Sequence, residues 1–540
     1  MPEGFWAAVL PPCLAGLACS FLIESVLRPR PAAPWRRPAA ALAVHAGVWI
    51  AAFAIEMALF RRPVFAAVNV LAIQGVLVLV SNAKYQALRE PFVHADFSYF
   101  TDALRHPRLY LPFFGVRLAL LALAGYGLAL WAGLAFEPAV AGPLGIPDGD
   151  PGLGKTAPLG RSLAAMAILA LAGVLVAAAA GRRLSATYID AAADLQTLGL
   201  TAAAWAYAVA ERRPIPPALL QAAPFARDAA ARPSPSTPAA PAMSARAPGP
   251  GRLPDLVVVQ SESFFDVRRY CPLVRHDVLA RFDTLRERAA LAGRLKVAAW
   301  GANTVRTEFA FLSGLAESRL GVHRYNPYRR LAGQAIPTLA SYLRALGYRT
   351  LCVHPYDGAF YRRHRVFPAM GFDEFVDISG FPGAERSGPY VGDHAVAGRI
   401  VSELQRPDRR QPLFVYAITM ENHGPLHWET VTDQDARQAL SAAMPPGCQD
   451  LVAYARHLRN ADAMFGRLAH ALAASPRPAG LCLFGDHVPI MDEVYRHLGH
   501  PDGDTDYLVW TKAEPAGTLR QDLHAHELAP AFLRQMGLLA

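Results

Sequence analysis

The chain has 540 residues, 53% of them hydrophobic and only 18% charged, with a mean hydropathy of +0.18. Soluble domains carry about 25% charged residues, so this composition excludes a purely soluble or a disordered protein. The formal charge of +9 does not select nucleic acid as a partner, because many of the arginines flank apolar spans, where membrane proteins place them.

Five stretches reach the roughly 20 apolar residues needed to cross a bilayer. They run over 5–27, 40–60, 63–81, 115–136 and 162–181. The first reads as a retained helix, not a cleaved signal. It lacks a basic start, carries Glu24 near its end, and is followed by Pro31, Pro34 and Pro38 without a small-x-small site. Three of the spans are rich in Ala, Leu and Val, which predicts close helix packing. A sixth apolar segment at 192–210 either crosses again or lies flat on the membrane as an amphipathic helix. These elements divide into a transmembrane region, 1–183, and a membrane-interface helix, 184–213.

Charge orders the loops. Arg28, Arg30, Arg36 and Arg37 follow the first span, Lys84, Arg89, Arg105, Arg108 and Arg117 lie between the third and fourth, and Arg182 and Arg183 follow the fifth. Positive residues favour the cytoplasmic side, so five spans place the C-terminal half in the cytoplasm and a sixth crossing returns it to the outside. Residues 214–254 hold 11 of the 45 prolines and read as an extended linker. The six cysteines form no C-x-x-C pair, and Cys352 and Cys482 sit in strand-like apolar runs as buried thiols.

From 255 to 540 short apolar runs alternate with amphipathic stretches. Strands are expected at 256–260, 349–354, 413–420 and 480–486, with helices at 337–348 and after Thr304. Continuous apolar strands alternating with helices predict a mostly parallel sheet covered on both faces. Polar residues then cluster at strand ends: Glu262, Thr304, His354, His423, Asp486 and His487. In such sheets ligands bind beyond the carboxyl ends of the strands, so these side chains are expected to converge on one crevice. Two carboxylates, a hydroxyl and an imidazole suit a divalent cation; Mn²⁺, Mg²⁺ and Zn²⁺ all fit, and the oxygen-rich set favours the first two. A metal lowers the pKa of a coordinated hydroxyl, and the helix beginning at Thr304 offers free N–H groups to a phosphate.

Five segments carry a family resemblance: SES at 261–263, WGANTVRTEFAFLSGL at 300–315, HPYDGAFYRRHRVFPAMGFDEFVD at 354–377, ITMENHGPL at 418–426 and FGDHVP at 484–489. Together they resemble the lipoteichoic acid synthase family, a branch of the alkaline phosphatase/sulfatase superfamily. The resemblance implies an α-helical transmembrane bundle followed by an α/β sulfatase-like catalytic domain with a mostly parallel central sheet. It implies a phosphotransferase of the inner membrane with an extracytoplasmic catalytic domain. Such an enzyme moves phosphoglycerol from phosphatidylglycerol to a glycan or polyol of the cell envelope. Its ligands would be Glu262, Thr304, Asp486 and His487 around one cation, Mn²⁺ foremost. Thr304 would be the nucleophile of a phospho-threonine-type intermediate, and His423 a phosphate ligand or general acid. His354 and Arg363 would contact the phosphoglycerol group. The chain departs from the family pattern at Tyr356, where an acidic residue is usual, although Asp357 is adjacent, and at Tyr361, where tryptophan is usual.

Three alternatives compete with that activity. A sulfatase needs Cys or Ser in C/S-x-P-x-R, and CPLVR at 271–275 has its proline misplaced. A phosphoethanolamine transferase shares the architecture and the threonine, but that group tends to carry several disulfides. A non-enzymatic membrane sensor has no need of the complete Glu, Thr, His and Asp-His set.

Overall fold

The computed structural model describes residues 3–109, 116–140, 159–184, 188–226, 253–443, 445–513, 515 and 517–539. The chain divides into two compact units, Met1–Arg213 and Pro214–Ala540.

In the first unit four helices are long and apolar enough to cross a membrane: Phe5–Glu24, Ala39–Phe60, Pro63–Leu88 and Leu159–Gly181. The remaining expected span is a helix over Val116–Phe136, of which Leu123–Phe136 counts as a shorter apolar helix among the described residues. The expected close packing is present. A Cβ on Gly47 would lie 2.6 Å from the Gly173 carbonyl oxygen, and one on Gly173 would lie 2.5 Å from that of Gly47. Small residues thus let two helix backbones touch, which in lipid substitutes for a hydrophobic driving force. Some polar groups inside this unit pair with one another: Arg37 donates to Glu24 at 2.5 Å, and Ser20 Oγ lies 2.7 Å from His45 Nε2. The segment at 192–210 is not one helix. It breaks at Gly199, whose φ of +79° separates Ala191–Leu198 from Leu200–Glu211.

The second unit is built on strands β1 (Asp255–Ser261), β2 (Leu291–Lys296), β3 (Arg349–Val353), β4 (Glu374–Val376), β5 (Arg386–Ser387), β6 (Tyr390–Val391), β7 (Leu413–Ile418), β8 (Ala479–Gly485), β9 (Thr505–Thr511), β10 (Leu519–Arg520) and β11 (Leu523–His524). A nine-stranded sheet runs β10-β2-β9-β8-β1-β7-β3-β4, with β11 also on β2. Strands β8, β1, β7, β3 and β4 are mutually parallel, and β9 alone runs against its neighbours β8 and β2. Both faces are covered. Alternate residues of a strand face opposite sides, so Val257 and Val259 join one apolar core while Leu256 and Val258 join the other. The first core takes in the helix Gln449–Ala474, the second the helices Thr304–Ser313 and Ala525–Gln535.

The first described part of the linker expected over 214–254 is folded instead. Pro217–Gln221 is helical, and Leu219, Ala223 and Phe225 are buried in the second core. Apolar side chains between the prolines find a hydrophobic face to cover, which composition alone does not reveal. Residues 227–252 of that segment lie outside the described residues.

Candidate active site

Every strand that carries an expected site residue ends at the same edge of the sheet. Glu262 follows β1, His354 follows β3, Asp486 and His487 follow β8, and the segment to His423 follows β7. Parallel pairing makes this unavoidable: strands pointing the same way deliver their following residues to one side.

Close approach is paid for locally by glycine. A Cβ at Gly485 would sit 1.7 Å from the Phe264 carbonyl oxygen, so only glycine lets β8 deliver Asp486 beside the turn after β1. Asp486 Oδ1 then accepts the backbone N–H groups of Ser263 at 2.9 Å and His487 at 3.0 Å. Its Oδ2 has no hydrogen-bond partner although Asp486 is fully buried. Ser263 Oγ donates to Glu262 Oε1 at 2.9 Å, and the Glu262 backbone N–H donates to Thr419 Oγ1 at 3.0 Å.

Glu262, Asp486 and His487 each present one donor atom, and these atoms lie within 4.8 Å of one another. His487 Nε2 is 3.4 Å from both Glu262 Oε1 and Asp486 Oδ2, and 3.5 Å from Thr304 Oγ1. His487 Nδ1 lies 3.1 Å from the Val488 carbonyl oxygen and donates to it, which leaves the lone pair on Nε2, inside the cluster. Burial, and then the charge of Asp486, push the Glu262 carboxyl up to about 8. An orphaned buried oxygen, two crowded carboxylates and an imidazole lone pair aimed between them fit a divalent cation.

Thr304 opens the helix Thr304–Ser313 behind Asn303, which takes a left-handed φ of +66° as its N-cap. The helix is held to the site by Thr307 Oγ1, which donates to the Asp486 carbonyl at 2.9 Å. The hydroxyl therefore sits where backbone N–H groups are unpaired and the helix end is partially positive.

His354 and Arg363 meet deep under this edge. Arg363 is 2% exposed, and its Nη1 is 3.2 Å from His354 Nε2. His354 Nδ1 donates to the Ile418 carbonyl at 3.2 Å, so Nε2 is the acceptor for Arg363. Burial, and then the Arg363 charge, hold His354 well below the usual histidine range, so it is neutral. A residue that the sequence reasoning passed over completes the group. Glu308 is fully buried and accepts Arg363 Nη2 at 2.7 Å on Oε2 and Nε at 3.2 Å on Oε1. Tyr328 OH adds a bond to Glu308 Oε1 at 3.2 Å. The available signal was spacing, since Glu308 stands four places after Thr304 and so shares a helix face with it. His423 is the remaining expected residue. Its Nδ1 donates to the Gly424 carbonyl at 2.8 Å, and burial lowers its pKa. It feels the charges of Asp486 and Arg363, which puts it in the same electrostatic neighbourhood.

A parallel sheet with acid, hydroxyl and imidazole donors along its carboxyl edge defines the sulfatase-like class of enzymes. The sulfatase family model matches residues 254–538, just over half of the chain, and the chain belongs to that family. It is 33% identical over 257 residues to the capsular polysaccharide biosynthesis protein RkpI of Rhizobium meliloti, covering 47% of this chain and 45% of that protein. The chain thus spans less than half the length of this curated relative. Among solved structures, it is similar to the Streptococcus pyogenes phosphoglycerol transferase GacH in complex with sn-glycerol-1-phosphate. That match has 23% identity and a TM-score of 0.44, over 53% of this chain and 75% of that one. The lipoteichoic acid synthase LtaP of Listeria monocytogenes matches at 19% identity and a TM-score of 0.43, over 54% and 73% of the two chains.

Proposed function

We propose that the protein is a metal-dependent membrane phosphoglycerol transferase. In this reading it takes its donor group from phosphatidylglycerol and passes it to a glycan or polyol of the cell envelope. The observation that carries the reading is a threonine hydroxyl at a helix start, 3.5 Å from the imidazole nitrogen of a buried three-residue donor cluster. Sulfate-ester hydrolysis in this family would need a Cys or Ser precursor there, and Thr304 is neither. The four cysteines of the second unit, Cys271, Cys352, Cys448 and Cys482, are all free, which favours phosphoglycerol over phosphoethanolamine transfer.

Glu262, Asp486, His487 and Thr304 would hold the cation, Mn²⁺ or Mg²⁺ by the preference of an oxygen-rich set. A bound cation would favour the alkoxide of Thr304 and offset phosphate charge. In the first half-reaction Thr304 Oγ1 forms a bond to phosphorus, and the bond from phosphorus to the diacylglycerol oxygen breaks. His423 Nε2, which holds the lone pair, takes the threonine proton and passes it to that leaving oxygen. In the second half-reaction the acceptor hydroxyl attacks phosphorus, His423 takes its proton, and Thr304 is released with its own proton restored. Arg363 would contribute a donor to the phosphoglycerol group, and His354, whose Nε2 accepts from Arg363 Nη1 at 3.2 Å, orients the guanidinium. Both substrates lie outside the cytoplasm in this reading, so residues 214–540 belong there. A reporter fused after residue 253 that is active only in the cytoplasm would refute that placement. The deciding assay gives labelled phosphatidylglycerol to membranes containing the protein. Label should move to a polymer or polyol, and none should move with Thr304→Ala.

A further inference from the structure

The same sheet edge carries a second buried group of charges that the proposed reaction does not use. His457, in the helix Gln449–Ala474, is fully buried. Its Nδ1 lies 2.9 Å from Glu421 Oε1, and its Nε2 lies 3.0 Å from Glu429 Oε2. A neutral imidazole has one N–H and one lone pair, so it bonds one carboxylate and repels the other. Two carboxylates on two ring nitrogens require the imidazolium. Burial alone would lower the pKa of His457, but the bonds to Glu421 and Glu429 outweigh it and raise it to about 9.

Glu421 and Glu429 are the two feet of the loop that carries His423. Each foot has a further anchor. Glu421 accepts Asn460 Nδ2 at 2.5 Å and the Asp393 backbone N–H at 2.6 Å. Glu429 accepts Arg456 Nη2 at 2.7 Å. The loop is also tied in its middle, where Tyr390 OH donates to the Gly424 carbonyl at 3.2 Å. That carbonyl is the one that takes the Nδ1 proton of His423 and so sets its tautomer.

We infer that His457 is a positioning residue, an imidazolium that joins Glu421 to Glu429 and thereby holds the Gly424 carbonyl where it keeps the His423 proton on Nδ1. The inference rests on the reading of His423 as the proton carrier. Removing His457 leaves two buried carboxylates without their shared cation, and repulsion opens the loop. The His423 ring then loses its fixed partner, and Nε2 is no longer held as the acceptor.

The test uses the full-length chain in detergent with ¹⁵N-labelled histidine rings, the His423 signals being identified by their absence in His423→Gln. Wild type should show one His423 tautomer, protonated at Nδ1, and His457→Gln should show a mixture. With labelled phosphatidylglycerol as the probe, His457→Gln should lower kcat at least about tenfold while KM and bound metal stay unchanged. Adding His457→Gln to His423→Gln should cost less than about twofold more, because an effect that passes through His423 cannot be lost twice. An unchanged His423 tautomer, or losses that multiply in the double variant, would overturn the assignment. If His457→Gln does not fold, Glu429→Gln replaces it, since it loosens one foot and keeps the Glu421 bond. It should shift the His423 signals in the same direction, and unaltered signals would again overturn the assignment. A wild type inactive on phosphatidylglycerol would remove the donor reading, and the tautomer signature would still decide the role of His457.

Discussion

Two buried groups of carboxylates and histidine sit at the carboxyl edge of one sheet, and they end in opposite chemical states. At Glu262, Asp486 and His487 charge is left over: Asp486 Oδ2 has no partner and the Glu262 carboxyl is pushed up to about 8. At Glu421, Glu429 and His457 every contact is answered. Burial alone would raise Glu421, but the bond and charge of His457 hold it below the usual carboxylate range. The same residue types therefore make a ligand site in one place and a brace in the other. What separates them is whether a second nitrogen of the histidine faces an acid. His487 Nδ1 faces a carbonyl, which takes its N–H and leaves Nε2 to face the carboxylates as a ligand atom. Both nitrogens of His457 face carboxylates, which closes the group without an outside cation.

The contrast can be broken most sharply at the open group. Thr304→Ala should lower turnover of labelled phosphatidylglycerol by at least about a thousandfold with the folded state unchanged by circular dichroism. Full activity in that variant would end the nucleophile assignment. Glu262→Gln and Asp486→Asn should each weaken bound metal by about ten- to a hundredfold, read as metal content of the purified full chain. EDTA should inactivate wild type, and Mn²⁺ or Mg²⁺ should restore it. Undiminished metal in both variants would mean that other residues hold the ion.

Arg363 offers an intermediate case, because among the described residues its ion pair is with Glu308, and both are buried. Arg363→Ala leaves that carboxylate unpaired and should destabilise the fold by about 3–5 kcal/mol. The exposed Arg365→Ala should stay within about 0.5 kcal/mol. Turnover should follow the same order, and added salt should not erase the difference. Equal, salt-sensitive losses would instead describe a basic surface near anionic lipid.

The smallest expected effect lies at the closed group and depends on pH. The folded pKa of His457 is raised from 6.5 to about 9, so its stabilisation is complete below about 6.5 and is lost as pH rises through about 9. The groups around it share the proton balance. Glu421, Glu429 and Ser387 face its ring, Asn460 donates to Glu421, Arg456 pairs with Glu429, and burial followed by the charge of Glu421 pushes the Asp393 carboxyl well up. The unfolding midpoint of wild type should therefore fall by a few degrees between pH 7 and pH 10. His457→Gln should start lower and lose less over that interval. Parallel curves would show that His457 does not carry a proton there.

What the sequence determined on its own was the part encoded locally. Continuous apolar runs marked β1, β3, β7 and β8, and the residue after each run had to emerge at one sheet edge once the strands were parallel. Glu262, His354, His423, Asp486 and His487 were legible as candidates for that reason, and Thr304 as the first residue of an expected helix. Helix lengths in the first unit were legible too, because bilayer thickness sets a length that one stretch of chain satisfies alone. Only the tertiary structure decided which charges meet. Glu308 reads as one more residue of an amphipathic helix until Arg363 arrives from 55 positions away. His457 reads as the polar side of a long helix until Glu421 and Glu429 close on it from 36 and 28 positions away. Hydrophobic periodicity is a property of neighbours along the chain. The state of a buried charge is set by whatever the fold brings within a few ångströms, and sequence distance carries no trace of that.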